Sequence, residues 1–207
     1  MIDNDTKDAV VTHWWWVRHA PVPGPRDQIK GRLDLPSDTS DTETFAIQAA
    51  RLPKGATVFT SSRQRTQQTL AALVRAGFEA PSPTVEPDFD EQDFGAFQGH
   101  TWGELAGDPT LTAFWADPAN TAPPGGESFA ALIERVRRGI AHVNAAHAGK
   151  DIVIVAHAGT IRAALAVALG ISASAALTFA IQTVSITQID GIDAAWRVMG
   201  VNLTSDE

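Results

Sequence analysis

Two strand-like segments that each end at a histidine constrain the fold of this chain more than any other feature. Residues 10–17 are rich in β-branched and aromatic side chains and stop at Arg18 and His19. Residues 151–156 are almost wholly apolar and stop at His157. A short, nearly continuous apolar run is typical of a central parallel strand that helices cover on both faces. We therefore expect both histidines at the carboxyl ends of buried strands.

The remaining segments alternate between helical and extended patterns. The predicted helices cover residues 43–52, 65–76, a long amphipathic segment between 126 and 149, and 161–169, with shorter pieces around Leu105 and at 111–115. The further predicted strands cover residues 57–61, 84–89 and two segments within 178–201 that turn near Asp190 and Gly191. Such alternation predicts an α/β three-layer sandwich with a mostly parallel central sheet and helices on both faces.

The 207 residues suffice for one well-buried domain, which we assign to residues 10–207 after a flexible acidic tail at 1–9. Proline and glycine break up residues 21–38, which predicts a long loop next to the first histidine. Neither a signal peptide nor a membrane span is recognisable, so we expect a cytoplasmic protein. The sequence does not decide between a monomer and a homodimer.

The charge and the cysteine count exclude several classes of function. The net charge of -8 argues against a partner that is a nucleic acid or a membrane surface. The absence of cysteine excludes disulfides, thiolate metal sites and a cysteine nucleophile. The cations are nevertheless 12 arginines and only 4 lysines. Because a guanidinium group fits phosphate oxygens well, this excess is compatible with a local anion site.

The residues after the two strands predict where such an anion would bind. His157 is followed by Ala158 and then a helix, whose first N–H groups and dipole favour an anion. Arg18 precedes His19, and Arg65 opens the helix after the second strand. Ligands of an open parallel sheet bind beyond the carboxyl ends of its strands. These side chains therefore predict a pocket for a phosphate group.

Five separated motifs occur in an order that resembles the histidine phosphatase superfamily, also called phosphoglycerate-mutase-like, over nearly the whole chain. The motifs are Arg18-His19-Ala20; Thr60-Ser61 before Arg65 and Gln68-Thr69; Glu91 before Phe94-Gly95 and Gly99; Pro124-Gly125-Gly126-Glu127-Ser128; and Ala156-His157-Ala158. In its short length the chain is similar to the α-ribazole-phosphate phosphatase-like members.

The resemblance implies phosphoryl transfer without a metal or another cofactor, on a small phosphomonoester. In such a reaction His19 would attack phosphorus, while Arg18, Arg65 and His157 would hold the phosphoryl oxygens. Glu91 matches the position of the proton donor to the leaving group. It lies within a run of five acids and no base at residues 86–93, and neighbouring like charges favour the protonated form of a carboxyl group.

The chain departs from the family pattern at four positions. Alanine follows each histidine where glycine is usual, which requires Ala20 and Ala158 to keep a negative φ. Two usual polar residues of the phosphate side are replaced by Val22 and Pro25. We expect cations of the proline-rich loop to take over part of their role. The candidates are Arg26, Lys30 and Arg32.

Other interpretations of the same residues are weaker. A metal site made of the two histidines and Glu91 is disfavoured, because Arg18 and Arg65 would repel a dication. Arg63 competes with Arg65 for the phosphate, but the register set by Gln68-Thr69 favours Arg65. For Arg162 we expect helix packing and no substrate contact.

The sequence thus predicts a metal-independent phosphomonoesterase, with α-ribazole 5'-phosphate as one candidate substrate. A phosphoglycerate-mutase-type phosphotransferase is the nearest alternative. The mutases carry longer insertions before the second histidine and a tyrosine in the segment that closes over substrate, whereas this chain has no tyrosine. An alternative of another class is a catalytically silent phosphate-binding or scaffold protein.

Overall fold

A six-stranded sheet forms the middle layer of the computed structural model, which describes residues 9–193 and 195–206. The predicted acidic tail at residues 1–9 lies outside the described residues except for Ala9. The strands are β1 (Val11–Arg18), β2 (Thr57–Thr60), β3 (Thr84–Val85), β4 (Asp151–Ala156), β5 (Ile186–Ile192) and β6 (Ala195–Leu203). Their spatial order is β3-β2-β4-β1-β5-β6.

The predicted mostly parallel sheet is confirmed. The pairings of β1 with β4, β4 with β2 and β2 with β3 are parallel. The pairings of β1 with β5 and of β5 with β6 are antiparallel. In the central pair Arg18 lies opposite Ala156, so the residues that follow them leave the sheet at the same edge.

Helices cover both faces, as the alternation along the central strands requires. Helices α1 (Thr42–Arg51) and α2 (Gln64–Arg75) pack with Val153 and Val155 of β4 on one face. The helices on the other face pack with Ile152 and Ile154 of the same strand. The helices after α2 are α3 (Pro109–Ala116), α4 (Phe129–His147), α5 (Ala158–Leu169) and α6 (Ala173–Ala176). The two-sided core confirms the three-layer α/β prediction.

A third, smaller cluster stands apart from the two faces of the sheet. It consists of the rings of Phe94, Phe97, Trp102, Phe114 and Trp115, which we call the aromatic lobe. Apart from α3, a short 3-10 turn and an isolated bridge between Thr101 and Gln28, the chain here has no regular secondary structure. Packing among the rings therefore holds this region together.

Several predicted boundaries were wrong. The strand predicted at 84–89 ends at Val85, because Pro87 has no N–H for the ladder and begins a 3-10 turn that the Glu86 side chain caps. Helix α5 begins at Ala158 and not at 161. The piece predicted around Leu105 consists of turns.

The last two strands also differ from the prediction. Residues 178–185 are not a strand, and β5 continues through the predicted turn to Ile192. At the predicted turn the ladder continues, because Gly191 pairs with Thr12 of β1. The Asp190 carboxylate also contacts His13 Nδ1 at 2.7 Å. In the described part of the chain, no helix has the length and apolar character needed to cross a membrane.

Candidate active site

The two histidines meet because their strands are neighbours in register. The His19 N–H donates to the carbonyl of Ala156 at 2.9 Å, which continues the ladder by one bond beyond β1. His157 follows that alanine directly. The two imidazole rings lie edge to face with centroids 5.1 Å apart. The sheet itself therefore brings the two side chains together.

The local backbone fixes which nitrogen of His19 is free. Its Nδ1 lies 2.7 Å from the carbonyl oxygen of Ala20, which can only accept a hydrogen bond, so Nδ1 carries the proton. Burial lowers the pKa of His19 well below its usual value, and the charges of Arg65 and Arg18 lower it further. The ring is therefore neutral, with an unprotonated Nε2. This is the form in which imidazole acts as a nucleophile.

His157 is fully buried and held by hydrogen bonds on both sides of its ring. Its Nδ1 accepts from Nε of Arg65 at 3.2 Å, and its Nε2 lies 2.8 Å from the hydroxyl of Ser61. That hydroxyl lies 3.1 Å from Thr66 Oγ1, which itself donates to the carbonyl of Arg63. Burial lowers the pKa of His157 well below its usual value, and the charge of Arg65 lowers it further. The ring of His157 is therefore neutral. Its Nε2–H donates to the hydroxyl of Ser61, which donates in turn to Thr66 Oγ1.

Of the two arginines that the sequence offered, Arg65 lines the cavity of His19 and Arg63 does not. Arg65 is 1% exposed, lines the cavity that contains His19, and donates to the carbonyl groups of Gly31 and Leu33, each at 2.6 Å. Three of its five N–H groups have partners within the described residues, so two remain for a ligand. Burial lowers the pKa of Arg65, whereas Glu91 raises it. Arg63 turns away and pairs with Asp90 at 3.1 Å.

Arg18 lines the same cavity from the end of β1. One terminal nitrogen donates to the carbonyl of Ile181, while its Nε is buried with no partner among the described residues. Burial lowers the pKa of Arg18, and the nearby carboxylate of Glu91 opposes that change. A buried guanidinium N–H without an acceptor is costly, so the position suits an anionic ligand.

Glu91 lies between the cavity that contains His19 and the aromatic lobe. Among the described residues, its carboxylate has hydrogen bonds with the N–H groups of Gln92 at 3.0 Å and of Gly159 at 3.4 Å, and it forms no ion pair. A Cβ on Gly159 would lie 2.3 Å from Glu91 Oε1, so glycine leaves the space that the carboxylate occupies.

The acidic run around Glu91 is not a group of free like charges, as the sequence had suggested. Each neighbouring acid has a cationic or imidazole partner of its own. The partners are His142 for Glu86, Arg138 for Asp88, Arg63 for Asp90 and Arg32 for Asp93. The setting of Glu91 therefore depends on its own contacts and not on repulsion from these acids.

A buried arginine of α4 fixes the segment that carries Glu91. Arg135 donates to the carbonyl groups of Pro87, Asp88, Asp90 and Glu91. Its charge is balanced by Glu127, whose Oε1 lies 2.6 Å from the guanidinium group. Glu127, which belongs to the fourth sequence motif, thus supports the acidic loop through Arg135. The sequence alone did not point to this arginine.

The cations predicted from the proline-rich loop divide into two groups. Arg26 and Lys30 line the cavity beside His19, and burial lowers the pKa of Lys30. Arg32 does not line it. Its guanidinium donates to the carbonyl of Glu91 and pairs with Glu127 at 3.5 Å, because these acceptors lie on the other side of the acidic loop.

The departures from the family pattern leave the backbone intact. Ala20 and Ala158 have negative φ, as the sequence analysis required. Ala158 is the first residue of α5, at the helix N-terminus beside His157. Val22 lines the cavity and Pro25 does not. Across the described residues, no three His, Asp or Glu side chains are arranged to hold a metal ion.

The family assignment follows from a match that extends far beyond these site residues. The family model of the histidine phosphatase superfamily (branch 1) matches residues 14–204. The chain belongs to this superfamily.

Individual members of the superfamily show how far the similarity extends. A Mycobacterium tuberculosis protein named as bifunctional is 37% identical over 115 residues, which are 55% of this chain and 31% of that protein. The chain thus covers about a third of the first such relatives. The metal-independent phosphoserine phosphatase of Arabidopsis thaliana is 27% identical over 163 residues, 75% of this chain and 68% of that protein.

Solved structures share the fold. The α-ribazole phosphatase of Shigella flexneri superposes with a TM-score of 0.79 at 24% identity, covering 92% of this chain and 96% of that one. The mycobacterial glucosyl-3-phosphoglycerate phosphatase also gives 0.79 at 24% identity, covering 94% of this chain and 100% of the other.

This superfamily member has a second cavity that the sequence analysis missed. It adjoins the pocket of His19, has a volume of about 350 Å³, and includes Phe129 and Arg162 in its lining. The two cavities share Glu91, Phe94 and Trp102. Arg162 was expected to pack on its helix. One signal could have found it, because it lies four residues after Ala158 and so on the same face of α5.

Proposed function

We propose that this protein is a metal-independent phosphomonoester hydrolase that acts on a small phosphorylated metabolite. One observation carries the proposal above the others. The neutral imidazole of His19, with its Nδ1 bonded to a carbonyl, lines a cavity together with Arg18, Arg65 and Glu91. A nucleophile, two cations for the phosphoryl oxygens and a carboxyl group therefore face one space.

In the first step Nε2 of His19 attacks phosphorus and the bond between phosphorus and the ester oxygen breaks. The guanidinium groups of Arg18 and Arg65 stabilise the charge on the phosphoryl oxygens. The resemblance assigned His157 to the same task, but this imidazole is buried outside the cavity lining and accepts from Nε of Arg65, so it holds that guanidinium in place. Glu91 gives its proton to the leaving alkoxide. The products are a phosphohistidine and an alcohol.

In the second step water attacks the phosphohistidine. The Glu91 carboxylate now takes a proton from that water, and the bond between phosphorus and His19 breaks. Inorganic phosphate leaves and the neutral imidazole returns with the same tautomer, because Ala20 still accepts from Nδ1. Neither step draws on a metal ion or a redox cofactor.

The relatives suggest candidate substrates without choosing one. Phosphoserine, glucosyl-3-phosphoglycerate and α-ribazole 5'-phosphate come from the names of the three relatives above. A cytoplasmic location and a small-molecule partner remain parts of this proposal.

The direct test is release of inorganic phosphate from 4-nitrophenyl phosphate in the presence of EDTA. We expect wild-type activity to persist and His19→Ala to lose about a thousandfold or more. The matched control is His100→Ala, an exposed histidine in neither cavity, which should keep wild-type activity. Loss of wild-type activity with EDTA would contradict the metal-independent mechanism, and no activity on any phosphoester would favour the scaffold alternative.

A second measurement separates hydrolase from mutase. A rapid quench with detergent at alkaline pH, using substrate labelled on phosphorus, should trap one phosphoryl group on wild type and none on His19→Ala. Later acidification should release the trapped group, as expected for a phosphohistidine. With 3-phosphoglycerate, transfer to the 2-position faster than phosphate release would replace the hydrolase proposal by the mutase one.

A further inference from the structure

We infer that the aromatic cavity beside Glu91 binds the leaving group of the substrate, and that this group is an aromatic ring carrying a carboxylate or a similar acceptor. The inference rests on the proposed phosphomonoesterase function and deepens it by naming the substrate class. It assigns recognition of the ring to Trp102 and Trp115 and recognition of the acceptor to Arg162.

The aromatic cavity adjoins the cavity of His19 at the proposed proton donor, Glu91. Glu91 lines both cavities, with His19, Arg18 and Arg65 on one side and the aromatic rings on the other. A proton donor must lie at the bond between phosphorus and the leaving oxygen. With the phosphoryl group held by the arginines, the rest of the substrate extends past Glu91 into the second cavity.

The walls of this cavity are mainly aromatic. Phe94, Trp102, Phe114 and Trp115 surround the space, and the rings of Trp102 and Trp115 have centroids 4.9 Å apart. Trp115 is 54% exposed although it lies among other aromatic rings. Aromatic side chains favour aromatic partners in tilted or stacked arrangements. A volume of about 350 Å³ accommodates one substituted ring and not a large polymer.

Among the residues that line this cavity, the cationic side chain is that of Arg162. Nε of Arg162 donates to the carbonyl of Phe179 at 2.8 Å, which fixes the side chain. Its terminal nitrogens have no hydrogen bond to any residue that the structure describes, and the residue is half-buried in the lining. A fixed guanidinium with free N–H groups in an apolar cavity is suited to an acceptor on the ligand.

Benzyl phosphate and ethyl phosphate provide the test of ring recognition. Both release an alkoxide of similar basicity, so a difference in kcat/KM reports contact with the ring and not the ease of the chemistry. For wild type we expect benzyl phosphate to be better by about tenfold or more. Trp115→Ala should reduce this preference several-fold while changing kcat/KM for ethyl phosphate less than about threefold, because Trp115 lines only the second cavity. Trp102→Ala should reduce the preference as well, and since Trp102 also lines the cavity of His19, its variant is compared only by the ratio of the two esters.

The control for these variants is Trp196→Ala, a half-buried tryptophan of β6 that lines neither cavity and should keep the preference. Because Trp115 is largely exposed, its variant tests the inference even if Trp102→Ala does not fold. Equal rates on both esters in wild type would overturn the inference and leave the phosphomonoesterase proposal standing. Hydrolysis of neither ester, nor of 4-nitrophenyl phosphate, would overturn the proposed function itself.

The role of Arg162 has its own comparison. We expect wild type to prefer 3- or 4-carboxybenzyl phosphate over benzyl phosphate by about five- to tenfold. Arg162→Gln should abolish this preference and leave kcat/KM for benzyl phosphate within about threefold. Arg75→Gln, on the exposed side of α2, is the matched control. Retention of the preference by Arg162→Gln would overturn the assignment of this residue.

Discussion

The cavity of His19 and the aromatic cavity meet at Glu91 and form one cleft, whose two ends are built in opposite ways. At one end, which we call the phosphate end after the proposed function, His19 and His157 follow neighbouring parallel strands, and Arg65 comes from the helix that follows a third. These side chains are buried and held by hydrogen bonds to backbone or to one another. At the other end, turns and α3 bring aromatic rings together, and Trp115 is largely exposed.

On the proposed function, the buried end carries the chemistry and the aromatic end the selectivity. The phosphate end is determined by strand register, so a change there disturbs the sheet edge and every substrate alike. The aromatic lobe is a local cluster at the edge of the molecule's main core, and loops of this kind vary without altering the scaffold. Variants of each end should therefore show distinct patterns of loss across substrates.

Breaking the phosphate end should give the largest effect. Arg65→Lys keeps a positive charge but removes the fork that bonds Gly31, Leu33 and His157. We expect kcat to fall about a thousandfold, the magnitude typical of an arginine that stabilises phosphoryl transfer, and equally for benzyl and ethyl phosphate. Steady-state kinetics on the two esters measure both features.

Arg63→Lys is the matched control, since Arg63 lies two residues away and pairs with Asp90 outside the cavity. It should cost less than about fivefold, in the range of a partly exposed ion pair. An equal loss in both variants would mean that the arginines act through the acidic loop and not on phosphate.

Gly159→Ala sharpens the comparison at the boundary between the two ends. Its Cβ would lie 2.3 Å from Glu91 Oε1, so the carboxylate must move away from its place between the cavities. We expect kcat for ethyl phosphate to fall about 10–100-fold through loss of proton donation. For 4-nitrophenyl phosphate, whose leaving group needs no proton, the loss should stay below about threefold.

The control for this substitution is Gly103→Ala, where the nearest atom to a new Cβ is Thr101 Oγ1 at 3.9 Å. It should leave both substrates unchanged. A uniform loss across leaving groups in Gly159→Ala would show that the alanine distorts α5 and not the position of Glu91.

The smallest effect concerns stability against acid. The pKa values of His19 and His157 are both lowered in the folded protein, chiefly by burial, so the unfolded chain binds more protons below about pH 6.5. The free energy of unfolding should therefore decrease as pH falls from 6.5 to 5, by at most about 1.4 kcal/mol per pH unit for each histidine. Urea titrations at several pH values measure this slope.

His157→Gln keeps a polar side chain beside Ser61 and removes one titrating group. Its slope should be shallower than that of wild type, while Trp102→Ala at the aromatic end should keep the wild-type slope. Identical slopes for wild type and His157→Gln would contradict a neutral, buried imidazole at this position.

The phosphate end could be predicted because its determinants are local in sequence. The β-branched and apolar runs predicted β1 within one residue at each end and β4 at its observed bounds. Once two such strands are parallel neighbours, the residues after them must meet. Arg65 was distinguished from Arg63 by its spacing to Gln68-Thr69 in the motif that resembles the family.

The aromatic end and the support of Glu91 could not be predicted, because they depend on contacts between distant segments. Phe94 and Phe114 are far apart in the chain, and no periodicity predicts that their rings meet. Arg135 contacts the acidic loop across more than forty positions, as the bond to Asp90 shows. Arg32 was misplaced for the same reason, since its partner Glu127 lies in another motif.

The position of β1 inside the sheet has a consequence for slow motions of the molecule. This strand is paired on both sides, with β4 and with β5, so its amide hydrogens should exchange with solvent only when the whole domain opens. The aromatic lobe has a small cluster of its own and should exchange through openings of lower free energy. A local opening of the lobe therefore leaves His19 in place.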